Sequence, residues 1–314
     1  MDVYNKLINL RNIYKSDKPE GTPLVAALGM FDGVHRGHQS IINRAIMLAR
    51  ELHGRSLVYT FSNHPLSVLA PERLPLQIGT PALRETMLSR LGVDILVQVP
   101  FTRELAADSP DEFLTMLRDN FAPAYVVTGP NYTFGARGKG TARLLLRKQQ
   151  EYGFQAEICP AILEGGKPIS STRIRALIAA GDIYQASEFL GYSLTIMGRV
   201  VHGDRRGRKL GFPTANIALT ETQATLPNGV YAAEVLYDGR RYNALANIGN
   251  NPTFVGCNRR LEVNIRAFDG DIYDRMLEVR FLGQLREELK FASADELVAQ
   301  MHRDLERAAL YWRN

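Results

Sequence analysis

Cysteine is nearly missing from this chain of 314 residues, with two in all. Cys159 and Cys257 lie far apart, so the sequence supports no disulfide framework and fits a reducing compartment. No apolar run approaches the roughly 18 residues of a membrane-spanning helix. The stretch Met1 to Arg11 alternates apolar and polar residues and lacks a hydrophobic leader core, so no signal peptide is read and a cytoplasmic location is expected. The sequon Asn131-Tyr132-Thr133 therefore carries no meaning as a glycosylation site. There is no internal repeat, no low-complexity segment and no long basic tail. Net charge is +5, from basic residues scattered along the chain and short glycine-flanked clusters such as Arg205-Arg206-Gly207-Arg208-Lys209. That pattern favours small anionic ligands over nucleic acid or a membrane surface.

What is present is a globular composition, 45% apolar and 23% charged, over a length that suits two domains. The first part alternates strands and helices. Strands are expected at 24–28, 56–61, 94–99, 125–128 and 154–158. A helix carries Ile41, Ile42, Ala45, Ile46, Ala49 and Leu52 at helical spacing. Another starts at Ser109-Pro110-Asp111-Glu112, with Ser109 as N-cap and Glu112 closing a capping box. Further helices are expected over 144–152 and 172–180, the latter closed by Gly181. Such alternation predicts an α/β doubly wound parallel sheet covered on both faces. The pattern changes near Gly191, which sets expected domains of 1–190 and 191–314. Strands are then expected at 195–201, 230–237, 242–248, 261–268 and 277–281. Asp238-Gly239 and Asp269-Gly270 read as hairpin turns. Short strands at close spacing predict a small antiparallel β-barrel. A final helix, capped at Ser293, carries Leu297, Met301, Leu305 and Ala308 on one stripe.

Two segments carry chemistry in the first part. Gly29-Met30-Phe31-Asp32-Gly33-Val34-His35-Arg36-Gly37-His38 joins the first strand to the first long helix, the junction where doubly wound sheets bind ligands. Free N–H groups and the positive end of the helix dipole favour phosphate there. Gly29, Gly33 and Gly37 let backbone approach a ligand. His35 and His38 are one turn apart and can donate hydrogen bonds to charge growing on an α-phosphate. A chance pair on a surface turn competes with this reading, and so does a metal pair, for which no third ligand stands nearby. Ile169-Ser170-Ser171-Thr172-Arg173-Ile174-Arg175 opens another helix, where hydroxyls and Arg175 could hold further phosphates; taken alone it is an ordinary Ser/Thr cap.

In the second part, residues 203–216 join two expected strands by a cationic, glycine-rich loop. It is no Walker A motif, and on charge alone it is a solvated loop. Thr214 and Asn216 follow it, two apart and on one strand face, with hard oxygen donors suited to Mg2+ bound alongside phosphates. Glu262 interrupts an apolar strand. It is either the solvated face of an antiparallel strand or a base for a hydroxyl nucleophile, and spacing does not decide.

Taken together, the segments resemble the bacterial bifunctional riboflavin kinase/FAD synthetase family. That family carries G-x-F-D-G-x-H-x-G-H and I-S-S-T-x-I-R, matched by Gly29 to His38 and Ile169 to Arg175. An N-F-x-F-G-like segment is matched by Asn131 to Gly135, and T-F-x-x-H-P by Thr60 to Pro65. In the second half, G-R-x-L-G-F-P-T-A-N, P-x-G-V-Y, N-I-G-x-x-P-T-F, a catalytic Glu strand and L-R-x-E-x-K-F are matched by Gly207 to Asn216, Pro227 to Tyr231, Asn247 to Phe254, Glu262 and Leu285 to Phe291. The resemblance covers almost the whole chain. Three positions depart from it. Ser62-Asn63 stands where Asp-Pro is common, Asn264 where many relatives have His, and Lys209 where Thr is usual; little effect is expected at Asn264.

The resemblance implies that riboflavin is phosphorylated by ATP to FMN, and that FMN then takes an adenylyl group from a second ATP, giving FAD and pyrophosphate. It implies an adenylyltransferase site in which His35 and His38 serve the α-phosphate. Gly29, Phe31, Asp32 and Gly33 complete the ATP-binding turn, and Ser171, Thr172 and Arg175 hold the β- and γ-phosphates. Asn131 and His64 contact FMN. It implies a kinase site with Glu262 as base, Gly207, Lys209, Gly211, Thr214 and Asn216 binding ATP, and Mg2+ held at Thr214 and Asn216. Arg286 is placed near the flavin, with a surface Arg–Glu pair as the competing reading. The expected partners are these small molecules, with neither nucleic acid nor membrane. Three alternatives are set against this: a nucleotidyltransferase for another phosphorylated acceptor, a non-catalytic flavin sensor or RNA regulator, and a kinase that has lost the FAD step.

Overall fold

The structure, a computed structural model, describes residues 1–10, 22–202, 211–250 and 259–312. The candidate residues Gly207 and Lys209, the 251–254 part of the Asn247 motif, and Cys257 lie outside them. The chain divides into two compact units. One comprises Met1–Pro75 with Arg84–Ser170, the other Leu76–Leu83 with Ser171–Asn314.

The first unit is built on strands β1 (Asp2–Tyr4), β2 (Leu24–Leu28), β3 (Arg55–Phe61), β4 (Ile95–Val99) and β5 (Tyr125–Thr128). After a short pair, β6 (Thr133–Phe134) with β7 (Gly140–Thr141), comes β8 (Gln155–Ile158). Among the described residues the main sheet has six strands in the order β1-β4-β3-β2-β5-β8, all parallel. Every residue of β2 and β4 is buried, as both faces of a covered parallel sheet demand. From β2 the chain winds one way to β3 and β4, and later the other way to β5 and β8. The topological switch therefore lies between the ends of β2 and β5. Ser109 caps its helix (Pro110–Asn120) with the full capping box.

Among the elements not legible in the pattern, two matter here. β1 adds to the sheet edge by pairing with β4. The helix Pro81–Leu91 buries Leu83, Met87 and Leu88, but Arg84 and Glu85 interrupt its apolar stripe. A final short pair, β9 (Leu163–Glu164) with β10 (Lys167–Pro168), precedes Ile169.

The second unit is a closed barrel of β11 (Thr195–Val201), β12 (Ala215–Ala218), β13 (Gly229–Tyr237), β14 (Arg240–Asn250), β15 (Arg259–Ile265) and β16 (Met276–Arg286). Among the described residues their order is β11-β12-β15-β14-β13-β16, all antiparallel. The segment Leu76–Leu83 belongs here too: Gln77 bridges Gln223 and exchanges backbone bonds with Thr222 and Ala224. The helices Ser171–Ala180 and Ile183–Leu190 fold with this unit. Asp238 and Gly239 turn the β13–β14 hairpin with φ of 49° and 72°, the left-handed pair that a two-residue turn requires.

The second expected hairpin is corrected. Asp269-Gly270 joins no adjacent strands, because β15 pairs with β12 and β14 while β16 pairs with β11 and β13. Strand β15 also stops at Ile265 rather than Phe268, where Ala267 turns to φ 51°. The C-terminal helix Ala294–Ala308, capped by Ser293, lays Leu305 and Ala308 on Val230, Ala232, Leu245 and Leu285.

Candidate active sites

Leaving β2, the chain makes an irregular turn at the switch point. Phe31 has φ 51°, Gly33 φ 76° and Val34 φ 38°. Two of these are not glycine, and such residues cost on the order of 1–3 kcal/mol each. Four of the turn's carbonyls are nevertheless engaged. Met30 O accepts from Thr60 Oγ1 at 3.1 Å, Phe31 O from Val34 N at 3.1 Å, Val34 O from Gln39 Nε2 at 2.8 Å, and His35 O from Gln39 N at 2.8 Å. Gly29 is needed because a Cβ there would stand 2.9 Å from the Phe31 ring. Phe31 and Asp32 are buried.

His35 is the N-cap of the helix Arg36–Glu51 and accepts at Nδ1 from the His38 N–H at 3.4 Å. A neutral imidazole that accepts at Nδ1 carries its proton at Nε2, so His35 keeps a donor. The His35 and His38 rings stack with centroids 3.6 Å apart, and the Phe31 ring meets His38 edge-on at 5.4 Å. His38 Nδ1 is buried with no hydrogen-bond partner among the described residues. Burial, and then the charge of His35, hold the His38 pKa well below its ordinary value. His38 is therefore suited to act as a neutral donor. Gly37 keeps the cluster open: a Cβ there would meet the His35 ring at 3.1 Å and Ile169 O at 3.6 Å.

The structure thus brings Gly29, Phe31, Asp32, Gly33, His35 and His38 into one turn. Asn131 is exposed, in the tight turn that closes with Tyr132 N on Gly129 O. His64 Nδ1 accepts from Leu66 N at 3.0 Å and starts the short helix after β3. The departure at Asn63 acquires a reason. Its amide donates to Phe101 O at 3.1 Å and accepts from Phe101 N at 2.7 Å, tying the exits of β3 and β4; the proline common at this position could do neither. Ser171, Thr172 and Arg175 open a helix of the second unit, with Thr172 exposed and Ser171 half-buried.

The kinase candidates sit on a regular lattice. Asn216 pairs with Glu262, Glu262 with Asn247, and Asn247 with Val230. Directly paired residues share a face, so two amides flank the half-buried Glu262 carboxylate, with Val230 next in the row beneath the C-terminal helix. The face of Glu262 is therefore not an open solvated one. Thr214 stands one residue before β12 rather than on it. Its neighbour Pro213 is pinned through its carbonyl by Asn264 Nδ2 at 2.8 Å, a bond that an imidazole N–H could also donate. Gly211 has φ 80°.

Arg286 is engaged by the C-terminal helix. Its Nε and Nη2 meet Asp304 at 3.0 Å and 2.8 Å, and Gln300 also donates to Asp304. The ion pair formed is buried and its partner is Asp304, not a neighbouring surface glutamate.

Sequence reasoning passed over Asn247 as a site residue and missed the group beneath the first turn, Thr60, Arg84 and Gln98. The available signal was Gln98, a polar residue inside the otherwise apolar run 95–99. Among the described residues, no cluster of three or more His, Cys, Asp or Glu could hold a metal, and no helix is long and apolar enough to cross a membrane.

Comparison with known proteins agrees with this division. A family model described as FAD synthetase matches residues 17–173, and one described as riboflavin kinase matches residues 190–312. A Bacillus subtilis protein described as bifunctional riboflavin kinase/FMN adenylyltransferase is 34% identical over 98% of this chain and 99% of its own. The Escherichia coli K12 protein of the same description is 36% identical over 94% of this chain and 95% of its own. A solved chain from Streptococcus pneumoniae, described as a macrolide-efflux protein, superposes with a TM-score of 0.82 at 34% identity, covering 98% of this chain and 99% of that one.

Proposed function

The chain belongs to the bifunctional riboflavin kinase/FMN adenylyltransferase family, and from that premise we propose how its residues divide the work. The protein phosphorylates riboflavin to FMN and adenylylates FMN to FAD, with ATP as donor in both steps. The bifunctional reading holds over the alternative of a riboflavin kinase with a weak or lost FAD synthetase activity, since both domains are present. The functional boundary is placed at Gly191, with 1–190 the adenylyltransferase and 191–314 the kinase.

In adenylyl transfer an FMN phosphate oxygen attacks the α-phosphorus of ATP, and the bond to the bridging oxygen breaks as pyrophosphate leaves. The nucleophile is already an anion, so alignment and charge stabilisation dominate. His35 and His38 donate to the α-phosphate. Gly29, Phe31, Asp32 and Gly33 form the turn that receives ATP. Asn131 and His64 are assigned to FMN. The roles of Ser171, Thr172 and Arg175 at the β- and γ-phosphates rest on the motif.

In phosphoryl transfer the riboflavin 5′-oxygen attacks the γ-phosphorus and ADP leaves. Glu262 takes the hydroxyl proton. Thr214 and Asn216 offer oxygen donors for Mg2+, and an amide and a hydroxyl rather than an acidic cage suit an ion shared with nucleotide phosphates. When bound, Mg2+ would neutralise charge developing on the transferred phosphoryl group. Gly207, Lys209 and Gly211 are assigned to the ATP phosphates, and Arg286 to the flavin side on the motif alone, its guanidinium being engaged by Asp304. The cytoplasm is the proposed location.

One observation carries the assignment: each unit has its own chemistry-bearing cluster, stacked histidines at a switch point in one and a carboxylate between two amides in the other. Riboflavin, Mg2+ and ATP labelled at either phosphorus test it. Label from the γ-position is expected in FMN and FAD, and label from the α-position in FAD alone. Alpha-label in FMN, or FAD without alpha-label, would refute the proposed chemistry.

A further inference from the structure

The strained turn that presents His35 and His38 needs something to hold it, and the fold supplies a part-buried polar relay under it, centred on the buried Gln98. Gln98 is the fourth residue of the five-residue β4 and is 3% exposed. Its amide nitrogen donates to Asn5 Oδ1 at 2.7 Å and to Glu85. Its oxygen accepts from Arg84 Nη2 at 3.1 Å. Arg84 reaches up through Nη1 to Met30 O at 3.5 Å, the carbonyl that also accepts from Thr60. Burial lowers the Arg84 pKa, opposed first by the charge of Asp32 and then by that of Glu85. Its Nε is buried without a hydrogen-bond partner among the described residues. A half-buried guanidinium with a buried Nε is costly and calls for a compensating role. Here it is bracketed between the sheet interior and the carbonyl that precedes Phe31, the first left-handed residue of the turn.

We infer that Arg84 is a positioning residue for adenylyl transfer, fixing the Met30–Val34 turn, and with it the two imidazoles, through the Gln98–Arg84–Met30 relay. The inference rests on the adenylyl-transfer reading of His35 and His38. A fork-shaped guanidinium can serve Met30 O and Gln98 Oε1 at once, whereas a lysine ammonium is a point donor that cannot span both in the same way. Misplacing a reacting group by about 1 Å is enough to slow a step by about 100-fold.

The test measures kcat and KM for FMN adenylylation in Arg84→Met, Arg84→Lys, Thr60→Val and His38→Ala, with riboflavin phosphorylation by the same preparation as a check on the whole chain. Arg84→Met is expected to lower kcat by about 10- to 100-fold, leave KM for ATP within about threefold and leave phosphorylation intact, with Arg84→Lys intermediate. A merely structural arginine would not produce this kcat-only loss with graded recovery. If Arg84→Met makes FAD at the wild-type rate while His38→Ala does not, the relay is not used and the inference falls alone. If His38→Ala is itself fully active, the underlying reading of the site falls with it. Where Arg84→Met loses both activities, Thr60→Val decides. It removes the other donor to Met30 O at nearly constant shape, and an unchanged kcat would overturn the inference.

Discussion

In the first unit the candidate site hangs on three left-handed residues within one turn, Phe31, Gly33 and Val34, supported from beneath by Thr60, Arg84 and Gln98. In the second, Asn216, Glu262 and Asn247 occupy one register row of a regular antiparallel sheet. One site is made by irregularity that the rest of the unit must hold in place; the other comes from strand pairing itself. The contrast follows from the folds. A parallel sheet offers ligands only its strand ends, so the chemistry must sit on loops. A barrel presents whole strand faces, and alternate residues can be spent on chemistry while their neighbours Leu261 and Val263 stay fully buried.

The contrast can be broken most forcefully at Glu262. Glu262→Gln keeps shape and register but removes the base, and riboflavin phosphorylation should fall by about 10²- to 10⁴-fold in a direct assay of FMN formation. Next is the anchor of the C-terminal helix. Asp304→Ala leaves Arg286 buried without its carboxylate, and breaking such a pair costs about 3–5 kcal/mol. Denaturant unfolding of the kinase unit should move to lower midpoint, whereas loss of flavin affinity at unchanged stability would place Arg286 at the ligand instead.

A pH titration sharpens the other side. His38 is held neutral by burial and by His35, so its folded pKa lies below the value of about 6.5 for an unfolded chain. Between those two values the unfolded chain binds more protons. Stability of the first unit is thus full above about pH 6.5 and declines as pH falls below it. His38→Gln should flatten that decline in thermal unfolding scans; an unchanged slope would assign it to other groups. The smallest effect is expected at the β13–β14 turn, where Gly239→Ala places a Cβ at φ 72° and costs about 1–2 kcal/mol, read in the unfolding midpoint with both activities retained.

Much of this was legible because local rules coincide with the fold. The apolar runs that became β2 and β5, the Ser109 and Ser293 caps and the Asp238-Gly239 turn each have a local cause. Both chemical clusters were visible as motifs, although spacing alone left Glu262 undecided between a solvated face and a base; its neighbours Asn216 and Asn247 come from strands distant in sequence. The relay was illegible for the same reason. Asn5, Thr60, Arg84 and Gln98 are scattered, and only parallel strand order and the helix Pro81–Leu91 gather them. Asp269-Gly270 misled because a turn dipeptide says nothing about which strands pair.

The most direct measurement takes Glu262→Gln and His38→Ala through both half-reactions separately, riboflavin to FMN and FMN to FAD. Complementary losses are expected, each variant failing in one conversion and performing the other. If either well-folded variant is dead in both, the two clusters are not independent centres and the division of labour between the units is wrong.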